Sequence, residues 1–148
     1  MLELQIPTRR IAGSISTVQG ATLEGSLFLR PNPYHTDVED VLETLNDDRK
    51  FLPFLAERPF AGSCALNKTH IVRVHVPGAV ASEPGDPAQP QHALVLADGS
   101  RVVGQILIDA PPSASRMLDK LNLAGRFVPV AAADGIHFVH LTHVVRAE

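Results

Sequence analysis

The chain has 148 residues, 45% of them hydrophobic and 20% charged, with a net charge of −3 at neutral pH. That apolar share supports a packed core and excludes disorder over the whole length. No apolar run approaches the ~18–20 residues of a membrane helix, the N-terminal MLELQIPTRR has no signal-peptide core, and the single Cys64 excludes an internal disulfide or a cysteine zinc cluster. The expectation is a cytoplasmic protein with no membrane partner, no metal and no cofactor.

In chain order, Ile11 to Arg30 reads as two strands around a turn, with Ile15, Thr17 and Gln19 on one face and Leu23, Leu27 and Leu29 continuing the apolar pattern. Gly25 inside the second strand marks a bend or a close backbone approach, because a glycine there gives up side-chain packing. Thr36-Asp37-Val38-Glu39 is a capping-box pattern. Val38, Val41, Leu42 and Leu45 follow at helical spacing and form one apolar stripe. Asn46 suits a left-handed position after that helix. Phe51 to Phe54 predicts a third strand, and Pro53 within it predicts a short or edge strand. Cys64 to Val76 reads as a strand pair or one long bent strand.

Residues 77–91 carry four prolines and two glycines, which predicts a linker. After it the pattern returns. Asp98-Gly99 is a hairpin signal, and Gly99-Ser-Arg-Val-Val-Gly104 repeats the frame of Gly20-Ala-Thr-Leu-Glu-Gly25. Val41-Leu42-Glu43-Thr44-Leu45-Asn46 matches Met117-Leu118-Asp119-Lys120-Leu121-Asn122, 76 positions on. Lys50-Phe51-Leu52-Pro53-Phe54 matches Arg126-Phe127-Val128-Pro129-Val130 at the same offset, and Thr69-His70-Ile71-Val72-Arg73 matches Thr142-His143-Val144-Val145-Arg146, 73 on. Ala114, Met117, Leu118 and Leu121 take the stripe positions of the second helix. The chain is one motif written twice, over residues 10–76 and 92–148. Each copy is near or below the roughly 60 residues at which a lone core becomes marginal, so the copies should bury surface against each other.

Gly99 to Gly104 with Asp98, and the closing Lys68-Thr-His-Ile-Val-Arg-Val74, resemble the curved strand and final strand of Sm-like small barrels. The Lys-x-His element is similar to that of the bacterial Sm-like RNA chaperone. The Leu-Asn and Arg-Phe-x-Pro blocks resemble an uncharacterised bacterial domain family with a Leu-Asn plus Phe-x-Pro signature. The chain departs from the Sm-like pattern in the helix after the curved strand and in Leu141, which stands where copy one has Lys68. The expected fold is α+β, mainly β: two tandem strand-strand-helix-strand-strand units, Sm-like small barrels, packed with pseudo-two-fold symmetry.

Several residue sets invite a chemical role. His137, His140 and His143 would cluster on a helix. On a strand, however, His140 points away from the other two, and His137 lies roughly 20 Å from His143, so half-exposed strand histidines are the simpler reading. Cys64 aligns with His137 and reads as a small buried hydrophobe. The glycine frames precede strands, not helices, and make no phosphate cradle. Asp37, Glu39, Asp40, Glu43, Asp47 and Asp48 form an acidic run, either the solvated side of the first helix or a docking face for a basic partner. Of that run, Asp37, Asp40, Glu43 and Asp47 are the candidate partner surface.

Residues 1–76 hold eight Lys/Arg against nine Asp/Glu, and the remainder five against seven, so neither half is basic. The leading expectation is a non-enzymatic protein-interaction or scaffold module. It would use exposed strand edges and helix surfaces to bind another protein or a further copy of itself. The alternative is an RNA-binding Sm-like adaptor using Lys68, His70, Arg73, His143 and Arg146. The charge balance disfavours RNA without excluding it.

Overall fold

Strand β1 (Arg9–Thr17) turns back into β2 (Thr22–Leu29), and the two pair from Arg9↔Leu29 to Ser16↔Thr22. The computed structural model describes residues 8–30, 32–78, 91–108 and 117–148. Helix α1 (Asp37–Asn46) follows, with the Thr36 hydroxyl accepting from the Glu39 N–H at 3.3 Å. The expected capping box is half made, since Glu39 takes the Thr36 hydroxyl rather than its backbone N–H. Val38, Val41 and Leu45 are buried as the stripe requires. Strands β3 (Phe51–Arg58) and β4 (Gly62–Asn67) come next; a 3-10 turn (Lys68–His70) then redirects the chain into β5 (Ile71–Val76).

The second half runs through β6 (His92–Leu96), β7 (Arg101–Ile106), α2 (Met117–Leu123), β8 (Phe127–Ala132) and β9 (Gly135–His140). A 3-10 turn (Leu141–His143) leads into β10 (Val144–Ala147). Most of the predicted linker, and Ala114 of the second helical stripe, lie outside the described residues.

The expected two tandem strand-strand-helix-strand-strand units, Sm-like small barrels packed with pseudo-two-fold symmetry, are not what forms. All ten strands join one antiparallel sheet in the order β10-β6-β7-β8-β9-β5-β1-β2-β3-β4, flanked by two short helices. Two physical reasons lie behind the difference. Each half has a fifth strand after its 3-10 turn, and the fifth strand of the first half, β5, hydrogen-bonds to β9 of the second. The order of strands also repeats rather than mirrors, so opposite edges of the two halves meet and the join is head-to-tail.

Pro53 is neither at an edge nor in a short strand, because β3 is eight residues long and lies between β2 and β4. The β2–β3 ladder ends at Leu27↔Phe54, so Pro53 sits one residue past it and needs no N–H on that side. Asn46 is not left-handed, since among the described residues only glycines have positive φ. It ends α1 and instead pairs with a backbone of the other half. Gly25 does mark a close approach: a Cβ there would stand 2.0 Å from the Leu55 carbonyl oxygen, and one on Gly104 would stand 2.2 Å from that of Ala131.

Two apolar cores pack on this sheet, and each borrows from the other half. The first combines Ile15, Leu27, Val41, Leu45 and Phe54 with Phe127, Ile136 and Phe138 of the second half. The second takes Val72 of the first half beside Leu94, Val102, Val130 and Val139. A chain truncated to residues 1–76 therefore exposes the lining of the first core. It is expected to aggregate, with no cooperative thermal transition in calorimetry; a stable monomer would refute the shared core. Gly25→Ala, which drives a methyl into the β3 backbone, should destabilise the full chain by more than about 2 kcal/mol in urea titration.

Candidate functional site at the junction and the open edges

Where the two halves meet, β5 and β9 pair from Arg73↔Val139 to Val76↔Ile136, and nearly every residue of both strands is buried or half-buried. Beside them, α1 ends against β8. The Asn46 side chain donates to the Phe127 carbonyl at 3.1 Å and accepts from the Phe127 N–H at 2.8 Å. A side-chain amide thus copies one rung of a β-ladder, satisfying both polar groups of a residue that β7 does not reach. Gly125 leaves room for it, since a Cβ there would fall 2.8 Å from the Asn46 amide nitrogen.

The same helix end carries a buried cation. Lys68 is 2% exposed, and its ammonium donates to the Thr44 carbonyl at 2.9 Å and to the Asp47 carboxylate at 2.6 Å. The carbonyls at a helix C-terminus lack intrahelical partners and carry partial negative charge, so a lysine there serves as a cap. Asp47 feels burial pushing its pKa upward, but hydrogen bonds from Arg49 and Lys68 outweigh it and hold the group at about 2. Lys68, predicted as a ligand contact, is withdrawn from the surface. Its counterpart Leu141 packs on the second core instead.

Most of the expected acidic docking face is also engaged. Asp37 and Asp40 both pair with Arg9, Asp40 is buried and bonded to His35 at 3.1 Å, and Glu43 lies 3.4 Å from the same imidazole. Glu39 and Asp48 remain exposed.

The histidines group differently from the sequence expectation. His75 and His137 face each other across β5 and β9, with rings stacked 4.3 Å apart and 9° from parallel. Both reach Asp134 in the β8–β9 turn: His75 donates Nε2–H to the Asp134 carbonyl at 2.9 Å, and His137 donates Nε2–H to its carboxylate at 2.7 Å. Burial lowers the His137 pKa against the pull of Asp134, and the hydrogen bond from His137 lowers that of Asp134. The Nδ1 of His137 is buried with no hydrogen-bond partner, a cost of about 1–3 kcal/mol.

His140 and His143 form a second group, because the 3-10 turn folds His143 back until the rings meet edge-on at 5.1 Å. His140 stacks on Phe127 and donates Nδ1–H to the Ile71 carbonyl, while His143 donates Nε2–H to the Thr69 carbonyl at 2.8 Å. Burial lowers the His140 pKa. His143 is therefore brought to the first-half turn that carries exposed His70. Arg73 is half-buried opposite Val139, and Arg146 lies on β10 with Glu148. Cys64 is half-buried on β4 rather than fully buried.

The two sheet edges, β4 and β10, are the internal counterparts of β9 and β5. They are far more open than those strands, with Ser63 and Ala65 exposed on β4 and Val145 71% exposed on β10. Phe51, 76 positions before Phe127, is 52% exposed where Phe127 is 1%. Leu118 on α2 is 65% exposed, and Asn122, the counterpart of Asn46, is exposed as well.

Compared with protein-family models, curated proteins and solved structures, the chain finds no match. Among the described residues, no helix is long and apolar enough to cross a membrane.

The Lys68–Asp47 pair makes acid stability a direct readout. The folded pKa of Asp47, about 2, lies below its ordinary 3.8, so this stabilisation is complete above pH 3.8 and is lost as pH falls towards 2. Urea midpoints of the wild type should drop through that window more steeply than those of Asp47→Asn; equal slopes would show the pair contributes nothing.

Proposed function

We propose that this protein is a non-enzymatic assembly module that joins copies of itself head-to-tail through its two open sheet edges. What carries the reading is the internal join. The chain already makes one contact of this kind, β9 with β5 and β8 with α1, and it presents the matching surfaces of a second contact uncovered. An edge strand with unpaired N–H and C=O groups is a template for a further strand.

The repeat offsets specify the new contact. Moving Arg73↔Val139, Val74↔Phe138 and His75↔His137 by 73 positions places Arg146 opposite Leu66, Ala147 opposite Ala65 and Glu148 opposite Cys64 of the next copy. Backbone direction agrees with this register. Lys68 N–H bonds to the Lys50 carbonyl, so by alternation along the β3–β4 ladder Leu66 and Cys64 bond inward and Ala65 points its amide outward. On β10, Glu148 and Ala93 exchange both backbone bonds, so the neighbouring Ala147 also faces out. Ala65 and Ala147 would then form a mutual hydrogen-bonded pair.

The side chains fit the same superposition. Asn122 would hold the Phe51 backbone as Asn46 holds that of Phe127, and Leu118 would cover the Phe51 ring. Phe51, Leu118 and Val145 are three exposed apolar residues that the repeat brings to such an interface.

Sedimentation velocity tests this directly. The wild type should show concentration-dependent species larger than a monomer. Ala65→Pro and Ala147→Pro, which each remove one outward amide from an edge, should be monomeric alone and form a one-to-one dimer when mixed, because each keeps the edge the other lacks. A monomeric wild type would overturn the proposal, as would single-edge variants that assemble unaided.

A further inference from the structure

We infer that His75, Asp134 and His137 form a binding site for a divalent transition-metal ion that staples the two halves of the chain together. This inference stands apart from self-assembly, because all three residues lie at the internal junction. The donor set is two imidazoles and a carboxylate, a combination that suits zinc, nickel or copper rather than calcium or magnesium. One ligand atom from each residue lies within 4.8 Å of the others.

The arrangement is held from three sides. His75 projects from β5 of the first half and His137 from β9 of the second, directly opposite each other. Asp134 reaches both from the tight β8–β9 turn, which closes with Gly135 at φ +128°. A Cβ on Gly135 would stand 2.8 Å from the Val76 carbonyl oxygen, 2.7 Å from Pro77 Cα and 3.3 Å from His75 Nε2. Only a glycine lets this turn sit close enough for Asp134 to meet a histidine of the other half.

His137 supplies the second observation. Its ring is more than nine-tenths buried, its Nδ1 has no partner, and its only hydrogen bond is the one from Nε2 to Asp134. Ligation through Nε2 leaves Nδ1 unpaired as before, so what His137 contributes is a ring fixed by burial with its Nε2 on Asp134. Ligation would put the ion where Asp134 now accepts the two Nε2 hydrogens. Each neutral ring would then carry its hydrogen on Nδ1, so no net proton is released. The half-buried His75 ring would turn about its Cβ–Cγ bond to bring its lone pair onto the ion, with water filling the remaining positions. Because the ligands come from both halves, the ion would resist separation of β5 from β9.

The sequence alignment of the copies shows why only this junction has the site. At the 73-residue offset, His75 corresponds to Glu148, His137 to Cys64 and Asp134 to Ala61, so the open edges lack the trio.

The test is calorimetric titration of the full chain, stripped with chelator, with Zn2+ alone. The expected result is saturable binding of one ion per chain. Asp134→Asn and His75→Ala should each weaken it by at least about tenfold, while His35→Ala, which alters the separate His35–Asp40–Glu43 group, should leave it unchanged. A readout on the wild type avoids dependence on folded variants: Zn2+ should shift the ring-nitrogen NMR signals of His75 and His137 and leave those of His35 and His143 in place. Absence of saturable binding, binding that survives both junction variants, or shifts at His35 instead would overturn the site.

Discussion

The β5–β9 pairing is the interaction on which the rest of this architecture depends. Each half alone is a five-strand segment of sheet with one short helix, too small to enclose its own apolar surface. Joining them edge to edge does more than add a ladder. It brings Phe127, Ile136 and Phe138 onto the first core and Val72 onto the second, and it sets α1 on β8. Apart from the orphaned Nδ1 of His137, several polar groups at the join find partners across it. Asn46 satisfies the Phe127 backbone, while His140 and His143 donate to Ile71 and Thr69 carbonyls of the other half.

The copies have diverged where their surroundings differ. In the first, the helix end carries a buried lysine cap with its own carboxylate partner. In the second, the equivalent position is Leu141, and Leu118 on the helix lies open. A charge as buried as Lys68 is tolerated only with full pairing, and here the helix carbonyls and Asp47 provide it. The acidic residues of α1 and its C-cap Asp47 answer a similar local demand: Arg9 and His35 meet Asp37, Asp40 and Glu43, and Arg49 and Lys68 meet Asp47.

Much of the local structure was legible in the residues. The β1–β2 hairpin, the α1 stripe and its Thr36 cap, and the close approach at Gly25 and Gly104 all follow from spacing and turn chemistry. The way the copies meet did not. Repetition in sequence is compatible with either a mirrored or a head-to-tail join, and only the hydrogen-bond partner of β5 distinguishes them. Asn46 misled for a related reason: its type suits a left-handed cap, but its backbone partner lies 81 residues away. The junction trio was hidden because His75 and His137 meet only through that same long-range pairing. The expectation that His140 points away from His143 failed because a 3-10 turn, not a continuous strand, connects β9 to β10.

A head-to-tail join has a consequence that a two-fold join lacks. A two-fold contact uses one surface on both partners and closes on itself, leaving nothing complementary behind. When unlike edges meet, each join leaves one edge of each kind at the far ends, here β10 and β4. The contrast between Phe127 at 1% exposure and Phe51 at 52% is the signature of that remainder: the same residue in the same unit, covered where a neighbour exists and bare where the chain runs out. Edge strands that must stay unpaired are usually blunted by lysine, proline or inward-facing charge. Apart from Arg146 on β10 and Asn67 at the end of β4, these edges carry small and apolar residues, Ser63 and Ala65 on one and Val144, Val145 and Ala147 on the other, which is composition suited to pairing.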